Sequence, residues 1–515
     1  MMKINLSKKR VSLLAVMASI LLSSCAQEAM KKEVKQIPYE ANWSSLRKHN
    51  TPQWLEDAKF GIYSHWGAQS VVLESGNPDM PHAEAIEKWK GEKFSAKEWV
   101  DLFERAGAQF AGPVAWHVNG MLNWDSKITD WNSVKKGPKV DIFGSLASEI
   151  RKRDMKLIAS FHSSTLWGPI SSTDTTYVSP KHENVVTGTD PTIYGKEGRF
   201  RTEYLQGWLE RMTEAMELYQ PDIVWTDVGF GGTLQLEKQK VLVDGKIVDT
   251  GKAVHMSGIR EDIQQAYLSR YFNKAQEWGK EVGFIYKSYD IPPGIAMRDI
   301  ENGNLNGLQF DPWMADINMQ QHMVWPTVWF YNPKNKLKDA NMLIDMLADI
   351  TSKNGRILLN VPPKADGSFS EEVKKELYAM GDWLKLNGEA IYGTAPWVIY
   401  GEGPAEVINP GHHGQGKNQG NEIPKYTEKD IRFTEKGDAL YAICLDWPTD
   451  KLHIKSLGFQ GKLYPGQIKN ISLIGSNDKI EWEQTEGALI VTFPKEKPCD
   501  FAYCLKMERR KIVEK

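Results

Sequence analysis

Five residues of this sequence, His65, His117, His162, Asp227 and Lys287, stand at the C-terminal ends of short apolar runs. Imidazole, carboxylate and ammonium groups can bind hydroxyls, attack an electrophilic carbon and move protons near neutral pH. The clearest case is Pro221-Asp222-Ile223-Val224-Trp225-Thr226-Asp227, which delivers one carboxylate into the glycine-rich stretch Val228-Gly229-Phe230-Gly231-Gly232. Taken singly, such an Asp is more often a turn cap, and a lone His more often a satisfied core or loop residue. Five at equivalent positions point instead to a shared site.

The elements that would bring them together lie between residues 59 and 361. Apolar β-type runs cover Lys59 to His65, Phe110 to His117, Lys156 to His162, Asp222 to Asp227, Val282 to Lys287 and Arg356 to Val361. They alternate with amphipathic helix patterns at Lys97 to Ala106, Ile142 to Arg153, Glu203 to Tyr219, Glu261 to Trp278 and Ala340 to Thr351. Alternation over this length predicts an α/β fold, a (β/α)8-like barrel of the TIM type, of which these runs supply six strands. In a parallel barrel all strands end at one mouth, so residues distant in sequence meet there. Past Trp383, short alternating runs with turn-rich separators predict a C-terminal β-sandwich. The expected division is a catalytic barrel over 41–398 and a sandwich over 399–515, with 409–421 joining them or overhanging the mouth.

The 515 residues carry 64 Lys and Arg against 66 Asp and Glu, so no global field favours nucleic acid or an anionic membrane surface. Nineteen Trp and eighteen Tyr supply flat apolar faces of the kind that pack against sugar rings. Residues 1–25 combine a basic head, an apolar run from Val11 to Leu22 and small residues leading into Cys25. That is the pattern of a bacterial lipoprotein signal, with lipidation at Cys25. Residues 26–40 are polar and suit a tether, so the expected address is the cell envelope, with the membrane reached through the lipid alone. The remaining cysteines, Cys444, Cys499 and Cys504, are too few for a disulfide framework and permit at most one bridge.

A neutral barrel with aromatic walls and carboxylates near its mouth suits glycoside hydrolysis, which needs one nucleophilic carboxylate and one protonated acid. Asp227 is the candidate nucleophile, because a strand end is stiff enough to aim an attacking oxygen. Glu301, in Arg298-Asp299-Ile300-Glu301-Asn302-Gly303, follows the run ending at Lys287 and can fold over the same mouth as acid/base. Three histidines at one mouth also permit a metal-dependent hydrolase. Against that, no His-x-His marks the first strand and no second carboxylate accompanies the histidines at ligand spacing. Neutral histidines binding sugar hydroxyls are the more economical role, and no metal or cofactor is expected.

Longer motifs carry a family likeness: Lys59-Phe60-Gly61-Ile62-Tyr63-Ser64-His65-Trp66-Gly67, Trp124-Asp125-Ser126-Lys127, Asn354-Gly355-Arg356-Ile357-Leu358-Leu359-Asn360-Val361 and Asn387-Gly388-Glu389-Ala390-Ile391-Tyr392-Gly393-Thr394. Through them the chain, from about Trp54 to Lys506, resembles the α-L-fucosidases of glycoside hydrolase family 29, which are retaining, exo-acting enzymes with a barrel and a β-sandwich. The resemblance implies Asp227 as nucleophile and Glu301 as acid/base. It also implies sugar contacts from His65, Trp66, His117, His162, Trp225, Lys287 and Trp313, and a glycan substrate ending in α-L-fucose. The pattern departs where relatives have His-His-Asp-Gly-Phe, for here the residues are His117-Val118-Asn119-Gly120-Met121. Asn302 likewise replaces an Arg, and Met314 a Gln. Loss of one polar contact can discriminate sharply between related sugars, so α-L-galactose is the nearest alternative substrate. An inactive, lipid-anchored glycan-binding protein is the alternative of a different class.

Overall fold

Eight short runs close into a parallel barrel in the computed structural model. It describes residues 38–117, 120–162, 202–227, 234–236, 240–243, 246–249, 254–256, 259–287, 291–321, 329–407, 410–411, 424–461, 463 and 468–509. The first four barrel strands are β1 (Phe60–Ser64), β2 (Phe110–Trp116), β3 (Lys156–Phe161) and β4 (Ile223–Thr226). Two antiparallel ribbons follow, β5 (Leu234–Leu236) with β8 (Val254–Met256) and β6 (Lys240–Val243) with β7 (Lys246–Asp249). The barrel then resumes with β9 (Gly283–Tyr286), β10 (Met297–Asp299), β11 (Trp313–Asn318) and β12 (Gly355–Asn360), and β12 pairs with β1 to close it.

Six of these strands coincide with the apolar runs of the sequence. The two that do not are β10, of three residues, and β11, whose run is broken by Asp316 and Asn318. Helices Ala96–Arg105, Ile142–Arg151, Thr202–Tyr219, Glu261–Glu277, Ala340–Ser352 and Glu371–Asn387 accompany the barrel, the last of them not foreseen from the sequence. Ser95, Asp141, Asp339 and Ser370 cap four of them by accepting a backbone N–H of the first turn.

Successive side chains of a strand point to opposite faces. Phe60, Ile62, Leu157, Ala159, Val224, Phe284, Ala315, Ile317, Ile357 and Leu359 therefore join the outer layer beneath the helices. Tyr63, Phe110, Val114, Ile158, Ile223, Trp225, Ile285, Met297, Met314 and Leu358 fill the barrel interior.

The C-terminal part is antiparallel. Its strands are β13 (Ala395–Glu402), β14 (Ile431–Lys436), β15 (Ala439–Cys444), β16 (Leu452–Ile454), β17 (Ile468–Leu473), β18 (Glu481–Gln484), β19 (Leu489–Thr492) and β20 (Tyr503–Arg509). One sheet runs β13-β14-β15-β20-β17 and the other β16-β19-β18. Phe433, Leu440, Ala442, Ile454, Leu489, Val491 and Leu505 belong to a core of their own. Tyr441, Ile443 and Cys504 join the barrel's outer layer, so the larger sheet is buried on both faces. Cys444, Cys499 and Cys504 are free thiols. A buried charge cluster also joins the two parts: Asp349, on the helix Ala340–Ser352, accepts from Arg432 of β14, from Lys353 at 2.6 Å and from Asn304 at 2.7 Å.

Candidate active site

The rows of side chains that fill the barrel continue past the strand ends as polar residues. His65 stands two positions beyond Tyr63, His162 beyond Ser160, Asp227 beyond Trp225, Lys287 beyond Ile285 and Glu301 beyond Asp299. A period of two carries each of them to the mouth. His117 arrives differently: the pairing of β2 with β3 shifts register between Val114 and Trp116, and this bulge swings the next side chain onto His65 and His162.

Lys287 organises the carboxylates. Its Nζ donates to Glu301 Oε2 at 3.0 Å, pairs with Asp227 Oδ1 at 3.0 Å and Asp316 Oδ2 at 3.1 Å, and lies 4.7 Å from the centre of the Trp225 ring. The first two distances place the bonded oxygens of Asp227 and Glu301 no more than about 6 Å apart, across a single ammonium. The two side chains are 20% and 18% exposed, enough for a ligand to touch both. An ammonium has three N–H donors, and three carboxylates stand within 3.1 Å of this one. Lys287 is thus at the site as the holder of its carboxylates.

Burial alone would raise the Asp227 carboxyl, but Lys287 and His162, whose Nδ1 lies 3.3 Å from Oδ2, outweigh it and hold the group well below the usual carboxylate range. Burial also pushes Glu301 up; Lys287 opposes this while Asp316 and Asp227 add to it, leaving the group at about 7. One carboxyl is therefore ionised and its neighbour protonated near neutrality, the division that a nucleophile and a proton donor require.

The rings of His65, His117 and His162 have centroids 4.8 to 5.2 Å apart. Burial first, and neighbouring imidazoles second, hold His65 and His117 well below the usual histidine range, so both are neutral. Asn360 fixes the tautomer of His65: its side-chain N–H2 donates to the Trp329 carbonyl at 2.7 Å, so its oxygen faces His65 Nδ1 at 2.9 Å. His65 Nε2 is left as a buried acceptor with no partner among the described residues, available to a hydroxyl. Ligand atoms of the three histidines lie within 4.8 Å of one another, so the trio has the donors and the closeness to hold a divalent transition ion as well.

Trp329 and Phe330 close one side of this cluster. Trp329 stacks on His65 at 5.4 Å and 23°, and Phe330 meets His65 and His117 edge to face at 5.6 and 5.1 Å. Sequence reasoning misses both, since their sole signal is an aromatic run, Trp329-Phe330-Tyr331, in a connection without periodicity. It also misses Tyr63, Asp299, Asp316 and Asn360, which sit one inward step below the mouth.

Trp225 is completely buried, a floor beneath Lys287 and His162. Trp66 and Trp313 are not brought to the mouth, contrary to expectation. Trp66 packs with Trp89, Phe94 and Trp99 and donates its indole N–H to the Lys364 carbonyl at 2.9 Å. Trp313 opens β11 at the other end of the barrel and donates to the Lys353 carbonyl at 3.0 Å. Each is one residue away from an inward position, and one residue reverses the face. The Trp124-Asp125-Ser126-Lys127 motif is likewise structural: Trp124, Ser126 and Lys127 all donate to Glu214 on the helix Thr202–Tyr219. Cys25, Val118 and Asn119 lie outside the described residues.

A parallel barrel whose mouth holds one depressed and one raised carboxyl on a shared lysine, beside neutral imidazoles, is the arrangement of a glycoside hydrolase. Comparison with known proteins narrows the class. Residues 26–389 match the family model described as Alpha-L-fucosidase, residues 425–508 match that of the Alpha-L-fucosidase C-terminal domain, and the chain belongs to the alpha-L-fucosidase family. Tissue alpha-L-fucosidase of Rattus norvegicus is 25% identical over 508 residues, covering 92% of this chain and 93% of that protein. The Homo sapiens tissue enzyme is 23% identical over 524 residues, covering 95% and 96%. The Thermotoga maritima alpha-fucosidase, solved in complex with fucose, shares the fold with a TM-score of 0.66 at 24% identity, over 91% of this chain and 100% of that one. A Bacteroides thetaiotaomicron alpha-L-fucosidase GH29 trapped covalent intermediate does so with a TM-score of 0.64 at 16% identity, over 92% and 100%.

Proposed function

We propose that the chain is a retaining, exo-acting α-L-fucosidase that releases terminal α-L-fucose from glycans. Asp227 attacks the anomeric carbon while Glu301 passes its proton to the departing glycosidic oxygen, giving a glycosyl ester and the free aglycone. Water then attacks the same carbon as Glu301 takes its proton, and the ester bond to Asp227 breaks. The shared lysine suits both halves. Esterification removes the Asp227 charge, one of those that raise Glu301, so the acid of the first step becomes a readier base for the second. The neutral His65 and His117, with His162 beside them, serve the sugar hydroxyls. A polar contact altered at Val118 favours one neighbouring reading, in which the same chemistry acts on α-L-galactose, and kcat/KM on paired aryl glycosides separates the two.

The observation that carries the proposal is the pair of opposite carboxyl shifts on one ammonium. Asp227→Ala tests it: turnover should fall by at least about 10³-fold, and azide should restore part of it with a glycosyl azide as product. Undiminished turnover would refute the mechanism. The basic head, apolar run and Cys25 further support a lipid-anchored envelope protein acting on glycans outside the cytoplasm.

A further inference from the structure

Beneath the mouth, Asp299 and Asp316 are completely buried on adjacent strands. One oxygen of each is well served. Asp316 Oδ2 accepts from the Tyr63 hydroxyl at 3.1 Å and pairs with Lys287 Nζ at 3.1 Å. Asp299 Oδ1 accepts the Asp316 backbone N–H at 3.0 Å. The other two oxygens, Asp299 Oδ2 and Asp316 Oδ1, are buried and meet no donor among the described residues. The two side chains nevertheless lie within hydrogen-bonding reach of each other. Two bare, buried carboxylate oxygens on neighbouring side chains would each remain an unsatisfied charge, whereas one proton shared by the pair satisfies both.

We propose that Asp299 carries this proton and donates it to Asp316, so that a buried acid–carboxylate pair presents one negative charge to Lys287 and positions it between Asp227 and Glu301. The partners decide which residue holds the proton. Asp316 has an ammonium and a phenol to support a charge, whereas Asp299 has a backbone amide and faces Asp316 and Glu301. Burial, and then the Asp316 charge, drive Asp299 well above the usual carboxylate range. The titratable groups around the pair are Lys287 past β9, Glu301 past β10 and Tyr63 on β1, with Asp227 acting on Tyr63 and Lys287. Both aspartates act through Lys287 and are positioning residues. Asp316 has a second effect, since its charge helps to raise Glu301.

The inference rests on the roles given to Asp227 and Glu301, and two readouts on the full-length chain separate the two questions. The first is infrared difference spectroscopy of ¹³C-aspartate-labelled Glu301→Gln, with and without Asp299→Asn, at alkaline pH. The parent should show a protonated carboxyl stretch that the added substitution removes, while Asp345, another buried carboxyl held well above its usual range, contributes to both spectra. Two identical spectra would overturn the inference whatever the catalytic roles prove to be. The second is the basic limb of kcat/KM, which Glu301→Gln should abolish if the mechanism is right. Asp299→Asn should leave that limb in place and lower kcat/KM by less than about threefold, because Asn replaces the neutral acid in shape. Asp316→Asn should move the limb to lower pH by about half a unit or more. A limb that moves down equally in Asp299→Asn would mean that Asp299 is charged, and an Asp299→Asn protein that fails to fold would count the same way.

Discussion

Gly411, between β13 and β14 of the larger C-terminal sheet, donates its N–H to the Asn304 carbonyl at 2.7 Å, three residues past Glu301. The approach is close, since a Cβ on Gly303 would stand 2.1 Å from the Gly411 carbonyl oxygen. On its inner side the same segment continues the barrel ladder: the N–H groups of Ile300 and Asn302 donate to the carbonyls of Met314 and Asp316, both at 2.8 Å. Asn302 takes a left-handed φ of 38° and accepts the Asn318 N–H at 2.9 Å, a task its short side chain suits. Asn304 also reaches the Asp349 and Arg432 cluster, so both domains set the aim of Glu301.

Gly303→Ala must part these two backbones. The expected result is a loss of about tenfold in kcat/KM on substrates with poor leaving groups and a smaller loss on activated aryl glycosides, since proton delivery is what depends on aim. Equal losses on both would leave this contact with a purely structural role.

Glu301→Ala should lower turnover of poor leaving groups by about 10²–10⁴-fold and barely affect activated ones. In the intact enzyme Glu301 starts the cycle protonated, so kcat/KM should decline as pH rises through about 7. Asp227 must be ionised and is held low, which puts the acid limb below the usual carboxylate range. A profile flat through neutrality would argue for another acid.

Lys287→Met removes the cation that lowers both Asp227 and Glu301. Both groups should then titrate at higher pH, and the bell-shaped profile should shift upward as a whole while its maximum falls. A profile changed in height alone would deny Lys287 an electrostatic role.

Cys25→Ala, expressed in a bacterium with a lipoprotein pathway, should move the protein from the membrane fraction to the soluble fraction and abolish incorporation of labelled fatty acid. Membrane association that survives the substitution would contradict the anchor.

Six barrel strands are legible in the sequence because their inward and outward faces are both mostly apolar. The polar residues ending five of those runs are legible for the same reason, since a charge or imidazole stands out after an apolar run. Strands β10 and β11 are hidden because the site itself lies on them: Asp299, Asp316 and Asn318 point inward, and inward polar residues erase the apolar run that marks a strand. Trp66 and Trp313 are misjudged by a single residue, which in a strand or its extension means the opposite face. Residue types and a period of two thus determine which groups the barrel can present, and the ends of its strands determine where. Only the closed tertiary structure decides that Asp227, Glu301 and Asp316 share one ammonium. Opposite carboxyl shifts depend on burial and on distances of about 3 Å, and spacing along a chain carries neither quantity.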